Sequence, residues 1–450
     1  MVNKFWSKKN LASKEGIALS FIDNDISYKD LDKLVTNFSA TLKLLDIQNK
    51  LAYLPMSHDL ESIVRYLSCL REKFIPILLP PNLDEGLKLS LQKLYKPGVI
   101  FDEGDVDNFK ILNQSEIFKI NSKTAILLST SGSTGSPKLV RLSYKNISSN
   151  ASSIMQYLNI STSDKALCTL PLSYSYGLSV LNSHLSAGGC IFLIDSSPFD
   201  KNFYEIIRQK DISSICGVPF FYQMLFRTGF LKEKFSSLKI LTQAGGRMPE
   251  KLAIKFNEYS LTHNLNFFIM YGQTEASARI SYVPPESLSF KYNSIGIPIP
   301  GGKLSLAEDN ELIFNGPNVM LGYAENIFDL SLDDLNDGIL HTGDIAKVDS
   351  EGFYYIIGRK KRFIKIAGSR FSLDEIENAL EYEFNIPFIA IGDDDKLSLK
   401  FESQKIQSEQ IYNYLTSKFL MNRTFIRLEK IKEIPYTSNG KKNYLPFQKS

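Results

Sequence analysis

The stretch with the greatest capacity for chemistry lies between two apolar runs, residues 125–128 and 139–142. There Ser129, Thr130, Ser131, Gly132, Ser133, Thr134, Gly135, Ser136, Pro137 and Lys138 gather six hydroxyl side chains, two glycines and a lysine. Backbone N–H groups and hydroxyls on such a loop can converge on one anion, and a phosphate suits that point. Pro137 stiffens the exit and Lys138 can bring a positive charge. The alternative is a flexible Ser/Gly turn. A P-loop does not fit, because two residues separate Gly132 from Gly135 and Lys138 is followed by Leu139. A Rossmann site fits no better, since no Gly-x-Gly-x-x-Gly follows a strand.

Other residues could act on the same anion. Glu275, in Tyr271-Gly272-Gln273-Thr274-Glu275, can hold Mg²⁺, which on a phosphate takes one or two carboxylates; it could equally open a helix. Asp344, in His341-Thr342-Gly343-Asp344, can accept two hydrogen bonds from a sugar diol, or serve as a turn residue before a hairpin. Arg359, Lys360, Lys361 and Arg362 form a basic run where a domain boundary is expected. Lys441 and Lys442 follow a Pro/Ser/Asn/Gly turn that, alone, reads as a solvated loop. Tyr174, Tyr176 and Gly177 could line an apolar pocket with hydroxyl tips, or be core tyrosines at a strand-to-helix turn.

The elements that must position these residues follow an α/β pattern. Spacing of Leu31, Leu34, Phe38, Leu42 and Leu45 predicts a helix over residues 29–45. A strand over residues 51–55, a helix over 58–73 and a strand over 74–80 come next, an alternation that predicts a largely parallel sheet. Ser143 can cap a helix whose apolar face is Ile147, Ala151, Ile154, Met155 and Leu158. Strands over 214–218, 238–244 and 266–270 finish in proline or glycine at what should be one sheet edge, where α/β ligands gather. Beyond Pro298, residues 301–319 and 346–357 read as a β subdomain, and 373–447 as helix, strand, helix, strand.

Composition narrows the function class. The 450 residues carry 52 Lys+Arg against 49 Asp+Glu, a net charge of +3, too small to demand a nucleic-acid partner. No apolar run approaches a membrane span, and no signal-peptide core follows the basic start. Cys69, Cys168, Cys190 and Cys216 lie far apart in apolar contexts, which fits buried reduced thiols. A soluble cytoplasmic protein is expected, with one large domain and one smaller.

In their order and spacing, these segments resemble the adenylate-forming superfamily of acyl- and aryl-CoA synthetases, peptide-synthetase adenylation domains and luciferases. The resemblance runs from about Ile26 to Lys441. It implies that Thr130, Ser131, Gly132, Ser133, Thr134, Gly135 and Lys138 bind phosphate. Gly245, Gly246, Tyr271 and Gly272 match the adenine-binding segments, and Thr274 and Glu275 the phosphate and Mg²⁺ contacts. The run Glu311-Leu312-Ile313-Phe314-Asn315-Gly316 with Gly322-Tyr323 repeats another family signature. Asp344 falls on the ribose-binding aspartate and Arg359 on the nucleotide-binding arginine. Tyr174, Tyr176, Gly177, Val218 and Gly245 would line the acyl pocket. Lys361 falls on the hinge, Lys365, Ile366 and Gly368 on the face turned to the thiol acceptor, and Lys441 on the catalytic lysine. The implied architecture is α/β: a large N-terminal AMP-binding domain (1–358) of mixed and parallel sheets with helices plus a β subdomain, and a small mobile α+β C-terminal domain (359–450).

The implied reaction joins a carboxylic acid to AMP, using ATP and Mg²⁺ and releasing pyrophosphate. The acyl group then passes to a thiol, either CoA or the phosphopantetheine of a separate acyl carrier protein. Carboxylate and triphosphate repel, so catalysis should rest on positioning and on positive charge at the phosphate. That work falls to Lys441, Mg²⁺ on Glu275, and the loop donors of residues 131–138. Rotation about Lys361 would then withdraw Lys441. Many acyl-CoA synthetases carry histidine where this chain has Tyr174, and Leu340-His341 replaces a usual Tyr-Arg. Residues 173–179 contain no acid, which disfavours an α-amino acid and leaves a fatty, hydroxy or aryl acid with an uncharged tail. Spacing favours Lys441 over Lys442. The sequence stops soon after Lys441, so no carrier domain is expected in fusion. Arg359, Lys360, Lys361, Arg362 and Lys365 could meet CoA phosphates or an acidic carrier helix, or form a solvated hinge. The alternatives are a stand-alone amino-acid adenylating enzyme, a non-catalytic nucleotide-binding relative, and a phosphotransferase that releases ADP.

Overall fold

Helical and strand periodicities alternate through the first 290 residues, and the chain uses them to wind two parallel-centred sheets. The computed structural model describes residues 4–45, 47–102, 104–112, 118–129, 138–367, 369–393, 395–402, 406–437 and 441–447. In the first sheet Leu51–Pro55 lies between Ile75–Leu79 and Val99–Phe101, all parallel, and Thr124–Ser129 continues the parallel order. Leu139–Ser143 then returns antiparallel, with Ser129 opposite Leu139. The second sheet sets Lys165–Cys168, Ser214–Gly217, Ile240–Gln243 and Asn266–Tyr271 side by side and parallel, so their carboxyl ends share one edge.

Local chemistry explains the helices. Ser27 accepts from the backbone of Asp30 to open Tyr28–Leu44, and Ser143 forms a capping box with Asn146 to open Tyr144–Tyr157. Their apolar faces join one large core, which includes Leu31, Phe38, Leu42, Ile147, Ala151 and Ile154. All four cysteines are buried free thiols. No described helix is long and apolar enough to cross a membrane.

The β subdomain is an antiparallel sheet of Lys303–Leu306, Glu311–Asn315, Ile339–Val348 and Tyr354–Arg359. Asp344 is therefore inside a strand beside a register shift, and the turn-residue alternative does not hold. The tail departs from the expected order. Between the helices Leu373–Phe384 and Ser408–Phe419 lie two strands, Phe388–Asp393 and Lys396–Phe401, paired antiparallel, and Ile426–Lys430 adds parallel to the second. Asp395 takes a left-handed φ of 59° between them, a conformation aspartate tolerates. Preceding them is another hairpin, Phe363–Ile366 with Ser369–Ser372. These elements enclose their own core, with Ile364, Leu373, Ile376, Leu380, Phe388, Leu399 and Ile411 among its members. The large N-terminal part and smaller C-terminal part expected for the fold are both present.

Candidate functional site

The strand ends meet where the sequence places glycine and proline. Gly245 has φ +85°, and a Cβ there would stand 2.8 Å from the Tyr174 hydroxyl and 3.1 Å from Val218 Cγ1. Gly245, Tyr174 and Val218 thus form one wall. A Cβ on Gly272 would come within 1.7 Å of the Ala278 carbonyl, so the backbone there closes on itself. Gly246 lies against Pro219. Gly177 offers no surface to a pocket: a Cβ would press on the Pro171 carbonyl at 2.4 Å, so its role is to let the preceding turn fold back onto the helix Ser175–Ala187. Tyr176 is buried, its hydroxyl bonded to the Thr242 carbonyl and hydroxyl at 3.1 and 3.0 Å. It is a core tyrosine that also walls a narrow internal cavity.

On the opposite side Asp344 is 4% exposed. Its Oδ2 accepts from the Tyr271 hydroxyl and from Gln273 Nε2 at 3.1 Å, and its Oδ1 faces Arg359 Nε at 3.4 Å. Burial opposes the Arg359 charge, but Asp344 and Asp374 outweigh it and hold the guanidinium above its usual range. Gln273 also donates to the Thr342 carbonyl at 2.9 Å. Glu275 Oε1 accepts from the Tyr323 hydroxyl at 2.7 Å, and the Lys138 ammonium sits 3.7 Å over the Tyr323 ring. Thr274 Oγ1 is 3.2 Å from Ser175 Oγ. These contacts bring Lys138, Thr274 and Glu275 to one side of the wall that Tyr174 forms. Thr130, Ser131, Gly132, Ser133, Thr134, Gly135 and Gly368 lie outside the described residues.

The two tail lysines point to different places. Lys441 overlies the Tyr174 ring at 5.6 Å. Burial, then the charge of Arg359, push it down to about 8, against the pull of Glu275 and Asp344. Lys442 instead stays within the tail, 2.9 Å from Glu377, 2.6 Å from Glu381 and 2.7 Å from the Phe388 carbonyl. Tyr436 stacks on Phe220 at 5.4 Å, and Lys251 donates to the Tyr382 carbonyl at 3.2 Å, so the tail rests on the strand-end face.

The basic run is not the open cluster that its sequence suggests. Arg359 pairs with Asp344, Lys360 with Asp309 and Glu311, and Arg362 with Asp374 and Glu377. Lys361 is exposed in the turn between Tyr354–Arg359 and Phe363–Ile366, and Lys365 is exposed on the latter strand. Sequence reasoning gave no role to Gln273, Tyr323 or Arg279. Gln273 was open to it: two residues from Tyr271, it shares that side chain's face in extended chain. A model described as AMP-binding enzyme matches residues 8–324.

The chain belongs to this family.

AMP-binding enzymes of the adenylate-forming superfamily supply its relatives. A 2-succinylbenzoate–CoA ligase of Staphylococcus aureus (strain MRSA252) is 29% identical over 345 residues, 74% of this chain and 67% of that protein. Feruloyl-CoA synthase of an Amycolatopsis species is 30% identical over 268 residues, 57% of this chain and 53% of that protein. The match thus spans about half the length of the latter relative. Among solved structures, o-succinylbenzoate CoA synthetase of Bacillus subtilis in complex with its acyl-adenylate has a TM-score of 0.82 at 20% identity, covering 100% of this chain and 98% of that one. ATP-bound MatB of Rhodopseudomonas palustris has a TM-score of 0.80 at 18% identity, covering 100% of both chains. At these identities the likeness is one of fold.

Proposed function

We propose that this AMP-binding enzyme activates a carboxylic acid as its acyl-adenylate, with release of pyrophosphate, and passes the acyl group to the thiol of CoA. The observation that carries this reading is Lys441, a residue of the tail, held over Tyr174 at the strand ends among the charges of Arg359, Glu275 and Asp344. A cation poised against both a carboxylate site and a phosphate site suits a reaction between two anions.

Each group has a task within that reading. Asp344 accepts the ribose hydroxyls, a buried carboxylate already ringed by donors that a diol can replace. Arg359 stays charged beside it and steers the nucleotide. Gly245, Gly246, Tyr271 and Gly272 leave a slot for the adenine. Thr274, Lys138 and the loop of residues 130–135 meet the phosphates. The acid is already a carboxylate, so no general base is needed, and Lys441 neutralises charge as the two anions approach. Among the described residues no cluster of three or more His, Cys, Asp or Glu could hold a metal, and a lone carboxylate suits an ion that takes its other ligands from phosphate and water. Glu275 would hold Mg²⁺, which when bound supplies further positive charge at the phosphates.

The domain boundary is proposed at residues 358/359, with Lys361 as hinge. A tail core that begins at Ile364 and an exposed turn at Lys361 support this. Turning there would withdraw Lys441 and present Lys365 and Gly368 to the thiol. Relatives named as CoA ligases favour CoA over a separate carrier protein. The missing acid in residues 173–179 disfavours an amino-acid substrate.

Pyrophosphate exchange into ATP over a panel of acids tests the reading. The expected result is acid-dependent exchange, with AMP and not ADP formed when CoA is added. ADP as product, or exchange only with α-amino acids, would overturn it.

A further inference from the structure

Tyr323 lies between two groups that the adenylation reading sets on the phosphates, and it touches both. Its hydroxyl donates to Glu275 Oε1 at 2.7 Å, while the Lys138 ammonium stands 3.7 Å over its ring. A phenol can engage both at once, because its O–H is a donor at the ring edge and its face carries the negative side of the quadrupole. Glu275 Oε2 makes no hydrogen bond or ion pair among the described residues. The tyrosine therefore holds the carboxylate by one oxygen and leaves the other to meet a ligand. Lys138 has one ion-pair partner among the described residues, Glu325 at 3.5 Å, whose side chain is 65% exposed; a pair so exposed holds weakly.

The backbone fixes Tyr323 in that place. The short strand Gly322–Ala324 pairs antiparallel with Leu139–Ser143, Tyr323 opposite Val140 and Ala324 opposite Leu139, so it runs beside the strand that follows Lys138. Arg141, buried in that strand, donates to the carbonyls of Tyr323, Leu332, Leu321 and Asp333. Gly322 has φ +135°, and a Cβ there would stand 3.0 Å from Arg141 Nη2, so this approach requires glycine. The same segment is stitched to the turn that carries Glu275. Met320 N–H donates to the Glu275 carbonyl at 2.8 Å, and Asn318 Nδ2 to the Ala276 carbonyl at 2.7 Å. Lys138 and Glu275 are remote in sequence, and Tyr323 stands on the one segment tied to the surroundings of both.

We propose that Tyr323 is a positioning residue for the nucleotide: its ring seats the Lys138 ammonium and its hydroxyl orients the Glu275 carboxylate, so that phosphate and Mg²⁺ meet the two charges in one fixed arrangement. This rests on the adenylation reading and deepens it. Without the hydroxyl, the Glu275 carboxylate is free to turn, and losing the outer hydrogen bond of a metal's ligand commonly costs roughly 10- to 100-fold in metal affinity. Without the ring, Lys138 keeps only its exposed partner Glu325, and its position relative to Glu275 is no longer set.

Equilibrium binding of ATP to the whole chain, followed by calorimetry once with Mg²⁺ and once with EDTA, tests this without turnover. Tyr323→Phe removes the hydroxyl and keeps the ring, so the Kd for ATP with Mg²⁺ should rise roughly tenfold while the Kd in EDTA holds. Tyr323→Leu removes both, and the Kd in EDTA should then rise as well, by about fivefold. In a Glu275→Gln background, Tyr323→Phe should not reduce the advantage of Mg²⁺ any further, since the two residues act as one unit. Equal weakening in both buffers by Tyr323→Phe, or none, overturns the proposal even if Tyr323→Leu fails to fold, and so does full additivity with Glu275→Gln. Unchanged or tighter binding in EDTA by a folded Tyr323→Leu overturns the seating of Lys138. Each of these leaves adenylation standing; an unaltered chain that binds no ATP in either buffer overturns the adenylation reading itself.

Discussion

Lys441 and Lys442 are neighbours in sequence with opposite environments. Lys442 faces its own half of the molecule, and although burial works against its charge, Glu377 and Glu381 raise it above the ordinary lysine range. Lys441 faces the other half, and burial with Arg359 brings it down to about 8. The division follows from extended backbone: Lys442 bridges Tyr436, and successive side chains of such a segment leave on opposite sides. One residue is thereby tied to the fold of the tail while the next is delivered across the interface. Lys442 is engaged by the carboxylates of its own half, whereas Lys441 sits among Arg359, Glu275 and Asp344 of the strand-end site.

The strongest way to break this comparison is Lys441→Ala. Adenylation should fall by about 10³-fold, the scale of removing a preorganised charge from a reacting centre, with thermal stability nearly unchanged. Thiolysis of supplied acyl-adenylate should be largely spared. Equal loss of both half-reactions would show that Lys441 holds the structure rather than serving the first step.

Lys442→Met should do the reverse. It leaves Glu377, whose side chain is 5% exposed, with Arg362 as its one remaining ion-pair partner among the described residues, beside hydrogen bonds from the Ala390 N–H and the Tyr444 hydroxyl, and breaking a buried pair typically costs about 3 kcal/mol. Denaturant melts should therefore show the tail destabilised, with adenylation recovered at low temperature. Unaltered stability would mean that the Arg362–Glu377 pair suffices.

Spacing singled out Lys441 and gave Arg279 no role, and the reason is physical. Asp344, Glu275 and Lys441 sit in short runs whose glycines, prolines and hydroxyls fix a backbone shape, and that shape is written locally. The parallel sheets were equally readable, because apolar runs ending in Gly or Pro mark buried strands with functional ends. Arg279 stands four residues past Glu275 between Ser277 and Ser281, and what surrounds its side chain depends on Tyr176 and Cys216, which arrive from a distant helix and strand. The hairpin at Phe388–Phe401 escaped for another reason: its two strands are joined so tightly that the run reads as one element. The basic run at residues 359–362 misled because its acids, Asp309, Glu311, Asp344, Asp374 and Glu377, are scattered along the chain.

A pH profile sharpens the lysine comparison. The undocked lysine has an ordinary value near 10.4, and docking lowers it to about 8. Docking the charged form is thus penalised below about 8, and the penalty fades as pH rises. The neutral amine, however, contributes no charge to the reaction. In pyrophosphate exchange, kcat/KM for ATP reports the free enzyme, so it should fall about tenfold per pH unit above 8. Lys441→Arg should remove that limb, since arginine stays charged. A limb that survives the substitution belongs to another group.

The smallest effect expected tests whether Lys441 acts only when the tail is docked. Tyr436 and Phe220 stack at 5.4 Å with an interplanar angle of 28°, one ring from the tail and one from the helix Pro219–Arg227 that follows Val218. Such a pair is worth about 1 kcal/mol beyond its area. Tyr436→Leu keeps the apolar contact and removes the stack, so adenylation should fall about fivefold by that conversion, with Lys442's ion pairs and tail stability intact. Thiolysis, which on the rotation reading proceeds with the tail turned away, should hold or rise. A parallel fall in both half-reactions would mean that this stack is kept throughout the cycle and that the tail does not turn.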